Sequence, residues 1–274
     1  MFHVKRRTGT SGPGCGSLLM EPVSEHVPYC GAPPVPGDLT WNTDPWLIAG
    51  LLFLLIPLFR LVRPAGEARQ FAAGLGWGLV ALALVSPLCH LSMALFSARI
   101  AQHMLLVLVA APLLAFALPP LIRARSGMGW GAGLAAGLLA LMLWAWHLPG
   151  PYDATLKSDA LYWIMHLTLF GSAVWLWRAV FATRAERPLL GLVAGFATAA
   201  QTSLLSGLLT LASRPLFAVH EATTWPWGLT QLEDQQLGGL IMWVPGGLAF
   251  TLVALAGFAR WLSLLEESSA VAAE

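Results

Sequence analysis

The sequence predicts an all-α, polytopic membrane protein built as a bundle of seven transmembrane helices. Three observations carry that expectation. Of 274 residues, 57% are hydrophobic and only 11% are charged, against about 25% charged in a soluble domain. Mean hydropathy is +0.69. Thirteen tryptophans are present, and indole rings favour the membrane–water interface. A surface with so few charges cannot face water throughout, so much of it faces lipid.

A bilayer core takes about 20 apolar residues in a helix. Runs of that kind fall at 45–62, 71–91, 98–120, 129–148, 160–181, 188–212 and 236–261. Pro57, Pro87, Pro112 and Pro245 lie inside them, which spanning helices tolerate where neighbours satisfy the freed backbone groups. Glycines in "GLGWG" at 74–78 and at 238–239 and 246–247 mark close helix approaches. Residues 1–44 are rich in Gly, Pro, Ser and Thr and read as a disordered tail; translation starting at Met20 would shorten it. "VKRR" near the start is followed by no apolar core of the signal-peptide kind. The transmembrane domain then covers 45–262, with a short tail over 263–274.

Arginines set the expected direction. Arg60, Arg63 and Arg69, Arg123 and Arg125, Arg178, Arg184 and Arg187, and Arg260 flank one side. Only Arg99, Lys157 and Arg214 flank the other. Nine against three is a positive-inside bias. It puts the N-terminus outside, the C-terminus in the cytoplasm, and the chain in a bacterial cytoplasmic (inner) membrane as a multi-pass protein. A formal charge of +1 with no basic aromatic patch excludes a nucleic-acid partner. Cys15, Cys30 and Cys89 form no CxxC motif and no disulfide framework; a bridge within the tail is open but not implied.

On this topology every histidine beyond the tail maps to the outer half. His90 ends the second span, His103 opens the third, His147 closes the fourth, His166 lies about two turns inside the fifth, and His220 is in the last outer loop. Asp234 stands where that loop enters the seventh span. Each has a plainer reading. A histidine at a helix end caps a carbonyl or sits among headgroups, and His147 is flanked by interface tryptophans. Asp234 is placed to N-cap its own helix, or to serve a metal or proton. His166 fits the plain reading least, because polar groups at its depth usually face the bundle interior. Arg99 shares a helix face with His103; it snorkels to the headgroups, or pairs with Asp153 or Asp234.

Imidazole binds copper, zinc, iron and nickel, and sulfur favours Cu(I). Cys89, Met93, Met104, Met142, Met165 and Met242 lie near these histidines. Adjacent helical residues point about 100° apart, so most of these sulfurs are packing groups. Copper held at the outer mouth is the chemistry the side chains suggest.

The strings "AQHMLLVLVAAPLLA", "WAWHLPGPYDATL", "MHLTLFGSAVWLW" and "LEDQQLGGLIMWVPGG" resemble the CtaG-type cytochrome c oxidase assembly factors, from about residue 40 to 260. The resemblance implies a seven-helix protein of respiratory-chain biogenesis, acting in copper delivery to the oxidase rather than as an enzyme. It places His103, His147, His166 and Asp234 at the family's signature positions as metal candidates; with Arg99 in place of a ligand, His90 or His220 would have to compensate, or copper is held more loosely. Gln102, Tyr152, Asp153, Gln235 and Gln236 support the motifs. Many members carry histidine where this chain has Arg99, and an arginine cannot ligate a cation. The implied partners are oxidase subunits, a periplasmic copper chaperone and membrane lipid. Two alternatives stay open: a metal-free membrane chaperone for oxidase subunits, and a haem-binding electron carrier using His103 and His166. A retinal protein is excluded, because Lys5 and Lys157 are the only lysines and neither lies in a span. The stretch "FAVHEATTWPWGLTQLEDQ", with Trp225 and Trp227, is the expected partner surface, or an anchor at the membrane surface.

Overall fold

The computed structural model describes residues 26–119, 130–186 and 188–273. The Met20 start, Cys15, Arg123, Arg125 and Arg187 lie outside the described residues. Among the described residues six helices are long and apolar enough to cross a membrane, and a bent pair brings the number to seven. The chain is a multi-pass membrane protein.

Helix α1 (Pro45–Val62) starts where the Asp44 carboxylate accepts the Trp46 N–H at 2.9 Å, and it turns Trp46 and Phe53 outward. Helix α2 (Glu67–Val85) stops short of the run expected to continue to 91. Ser86 is extended, its hydroxyl accepts the Leu88 N–H, and Pro87 opens a separate helix α3 (Pro87–Ala94). Proline has no N–H to give the carbonyl four residues back. That carbonyl belongs to Ala83, and it is taken instead by the Gln102 side-chain amide at 2.7 Å.

The third span is composite: α4 (Phe96–Met104), a π-helical turn over Leu105–Ala110, and α5 (Ala111–Ala117). In a π turn each carbonyl accepts from the residue five ahead. Val107 would need an N–H from Pro112, which has none; the Trp177 indole N–H supplies it at 2.8 Å. Both prolines are thus tolerated because a neighbouring helix satisfies the freed carbonyl.

Helix α6 (Trp130–Trp146) bends by 73° into the short α7 (Pro149–Leu156). Tyr152 and Asp153, expected in a loop, therefore sit on a helix. Helices α8 (Asp159–Glu186), α9 (Pro188–Thr210) and α10 (Gln231–Ala273) complete the bundle. The 263–274 stretch, read as a tail, continues α10 as helix to residue 273. Helices α9 and α10 pack closely where Gly239 meets Thr210: a Cβ on Gly239 would lie 2.3 Å from Thr210 Oγ1 and 2.8 Å from its backbone nitrogen.

The disorder expected over 1–44 does not extend to residues 26–44. Cys30 is bonded to Cys89 of α3 with Cα atoms 5.6 Å apart, correcting the expectation of no bridge outside the tail. Tyr29 stacks on Tyr162 at 5.0 Å and its hydroxyl donates to Asp44. That bond holds the Asp44 carboxyl below its ordinary range. Few apolar residues are present in this segment, but a covalent tie and side-chain hydrogen bonds replace an apolar core.

Candidate functional site: a buried polar cluster at one end of the bundle

Residues 26–44, α3, the start of α4, α7, the 211–230 loop and the start of α10 meet at one end of the bundle. Arg99, Gln102 and His103 of α4 are buried there with His147, Tyr152, Tyr162, His166, His220 and Asp234.

Asp234 is the frame of this cluster. Thr230, not Asp234, caps α10: it forms a reciprocal pair with Glu233, the Thr230 N–H donating to Glu233 at 2.8 Å and the Glu233 N–H to Thr230 Oγ1 at 3.2 Å. Asp234 instead turns to α4, accepting the Phe96 N–H at 2.6 Å, the Ser97 N–H at 3.1 Å and the Ser97 hydroxyl. A carboxylate at a helix N-terminus meets unpaired donors and the positive end of the helix dipole. Gln235 and Gln236 fasten the end of α9: Gln235 accepts from the Leu216 N–H at 2.7 Å and donates to Leu209, and Gln236 donates to Ala212. The DQQ string is thus a joint between three elements.

The histidines divide into two groups. His90 is spent on the N-terminal segment: its Nδ1 accepts from the Thr40 N–H at 3.1 Å and its Nε2 donates to the Ala32 carbonyl at 2.8 Å. His220 is spent on α7, its Nε2 accepting the Tyr152 hydroxyl at 2.8 Å. Burial, with the Arg99 charge second, lowers its pKa to about 3.

His103 and His166 are different. Their rings meet edge to face with centroids 5.2 Å apart. His166 Nδ1 donates to the Tyr162 carbonyl one turn back at 2.9 Å, which leaves the lone pair on Nε2. That Nε2, and both ring nitrogens of His103, are buried without a protein partner. His147 shows the same internal bond, Nδ1 to the Leu143 carbonyl at 2.6 Å, and its ring stands against Phe96 at 6.4 Å. So two of the expected candidates form a ring pair and His147 contacts Phe96, while Asp234, His90 and His220 are engaged by protein groups. Among the described residues no group of three or more His, Cys, Asp or Glu side chains is placed to hold a metal ion.

Arg99 pairs with neither Asp153 nor Asp234; its guanidinium lies over the rings of Tyr152 and Tyr162, 5.2 and 5.7 Å from their centroids. Tyr162, absent from the sequence-derived set, joins the cluster's parts. It packs on His166 with centroids 4.1 Å apart, and its hydroxyl meets the sulfurs of Cys30 and Cys89 at 3.3 and 3.4 Å. Its place four residues before His166, on one helix face, was the available signal. A groove of about 650 Å³, lined by Asp44, Trp46, Trp77, Trp163 and Phe170 among others, reaches His166 from between α1, α2 and α8. In the 211–230 loop Trp225 is exposed, whereas Trp227 turns inward and donates to the Pro34 carbonyl at 3.1 Å.

The family model described as cytochrome c oxidase caa3 assembly factor matches residues 52–263, a stretch that contains every cluster residue from His90 to Gln236. No curated protein and no solved structure matches the chain.

Proposed function

The chain belongs to the cytochrome c oxidase caa3 assembly factor family, and on that premise we propose that it handles copper for the oxidase at the outer face of a bacterial cytoplasmic membrane. The observation that carries this reading is the His103–His166 pair, two buried imidazoles in contact with nitrogens that no protein group occupies. Neutral imidazole nitrogen is a copper ligand, and the His166–Tyr162 bond orients one such nitrogen as a partner behind a metal ligand does. Coordination by two imidazoles is incomplete, which suits a carrier that releases its cargo by ligand exchange. Arg99 stands where a further ligand would otherwise strengthen the grip. No substrate is turned over, so the role is not enzymatic. Oxidase subunits and a periplasmic copper chaperone are the partners this role requires.

Sidedness is part of the reading. The arginine bias favours N-terminus outside and C-terminus in the cytoplasm, with α6 and α7 together forming the fourth of seven crossings. The Cys30–Cys89 bridge fits the same assignment, because disulfides persist in oxidising compartments.

Cu(I) titration of the purified protein tests the proposal. About one Cu(I) per chain is expected, and the His103→Ala, His166→Ala double variant should lose it while helicity by circular dichroism is kept. Unchanged copper stoichiometry in that variant defeats the reading.

A metal-free chaperone for oxidase subunits is the second reading, favoured by the engagement of His90, His220 and Asp234 with protein groups. It expects oxidase subunits to co-purify with a chain that takes up no copper. The haem-carrier reading is disfavoured by the direct ring contact of His103 and His166, which leaves no gap for a porphyrin; a Soret band in purified protein would restore it.

A further inference from the structure

Arg99 is the largest fully buried side chain in the described residues. Its Nε, Nη1 and Nη2 are all buried with no hydrogen bond of good geometry, the Tyr152 hydroxyl standing beside them as a partial partner. A guanidinium stays protonated at any working pH, so this is a permanent charge within the bundle. The faces of Tyr152 and Tyr162 answer part of it, but ring quadrupoles do not replace the hydration a buried charge gives up. No carboxylate does so either. The His26–Asp159 pair involves neither Arg99 nor its neighbours, and Asp234 is committed to the N–H groups of α4.

We propose that Arg99 anchors a buried site for one small monovalent inorganic anion, a halide or nitrate, with His103 completing it. A neutral imidazole carries one N–H, and with both ring nitrogens of His103 unpartnered that donor is available in either tautomer. Charge sets the valence: one guanidinium balances one negative charge, whereas a divalent anion leaves an excess charge among apolar walls. The site adjoins the His103–His166 pair but does not rest on the copper reading, because the anion balances Arg99 whether or not a metal is present.

The test uses the full chain in detergent, stripped of metal with a copper chelator. Chloride-35 NMR should show line broadening that bromide and nitrate compete away and that gluconate and sulfate do not. Thermal stability should rise saturably with chloride, bromide or nitrate against gluconate at equal ionic strength. Arg99→Gln should lose both effects, lowering apparent chloride affinity at least about tenfold, equivalent to 1.4 kcal/mol; Arg99→Lys, which keeps the charge, should retain a weakened response. If Arg99→Gln fails to fold, the wild-type broadening and its competition pattern decide. Absence of competable broadening in the wild-type protein, or an undiminished response in Arg99→Gln, overturns the proposal. His166→Ala separates the two readings, because it should lose copper and keep the chloride response.

Discussion

The carboxylate of Asp234, four residues into α10, holds the first turn of α4 by accepting the backbone N–H groups of Phe96 and Ser97. This bond places Arg99 and His103 one and two turns below a fixed point. Asp234→Ala leaves three buried donors, the Ser97 hydroxyl included, without their acceptor, at about 1–3 kcal/mol each, and should lower the unfolding temperature. Asp234→Asn keeps one acceptor oxygen and should lose less. Calorimetry in detergent distinguishes this frame role from a ligand role, in which Asp234→Asn would cost copper and spare stability.

The Cys30–Cys89 bond closes a loop of 59 residues. Loop-closure entropy for that length corresponds to about 4 kcal/mol. Reduction, or Cys30→Ser, should therefore lower the unfolding temperature and open residues 26–44 to protease. Faster cleavage before α1 in reduced protein, read by mass spectrometry, is the expected result. Equal cleavage with and without reductant counts against a clasp.

Gly239 and Gly78 make a matched pair of substitutions. A Cβ on Gly239 meets Thr210 at 2.3 Å, whereas one on Gly78 meets nothing within 4 Å. Gly239→Ala must push α9 from α10 and should cost about 1–3 kcal/mol. Gly78→Ala should stay within about 0.5 kcal/mol of wild type. Similar unfolding temperatures for the two variants contradict the packing described.

His220 sets an acid limit. Its folded pKa is lowered to about 3 from the ordinary 6.5, so between those values the unfolded chain binds a proton that the folded chain refuses. Its contribution is fully present above pH 6.5 and is lost as pH falls toward 3. The slope approaches about 1.4 kcal/mol per pH unit for one proton. His220→Gln should flatten the acid side of a stability–pH curve while lowering stability at neutral pH, through loss of the Tyr152 bond. An acid slope identical to wild type shows that another group sets the limit.

Composition and apolar run length made the helical membrane class legible, because both follow from the solvent rather than from any contact. Span ends were less so. Pro87 falls inside an unbroken apolar run, and the break at Ser86 and Pro87 is tolerated because a side chain on another helix, Gln102, takes the freed Ala83 carbonyl. The N-cap expected of Asp234 fails for a related reason: its own helix is the partner visible in the sequence, but the bonded one begins 138 residues earlier. His90 was a metal candidate only while residues 32 and 40 were thought disordered; their backbone occupies both its nitrogens. The approach of His103 to His166 followed from depth alone. The contact of His147 with Phe96 sits at the 73° bend after Trp146, where Pro149, Gly150 and Pro151 mark the break but not its angle.

The two bonded sulfurs bracket α1 and α2 in the chain. They can meet only after both helices have been inserted and the second has returned to the face from which the first departed. A nascent chain stalled after a single crossing keeps its thiols on opposite leaflets, so oxidation of this pair is a covalent record that the first hairpin has been threaded correctly.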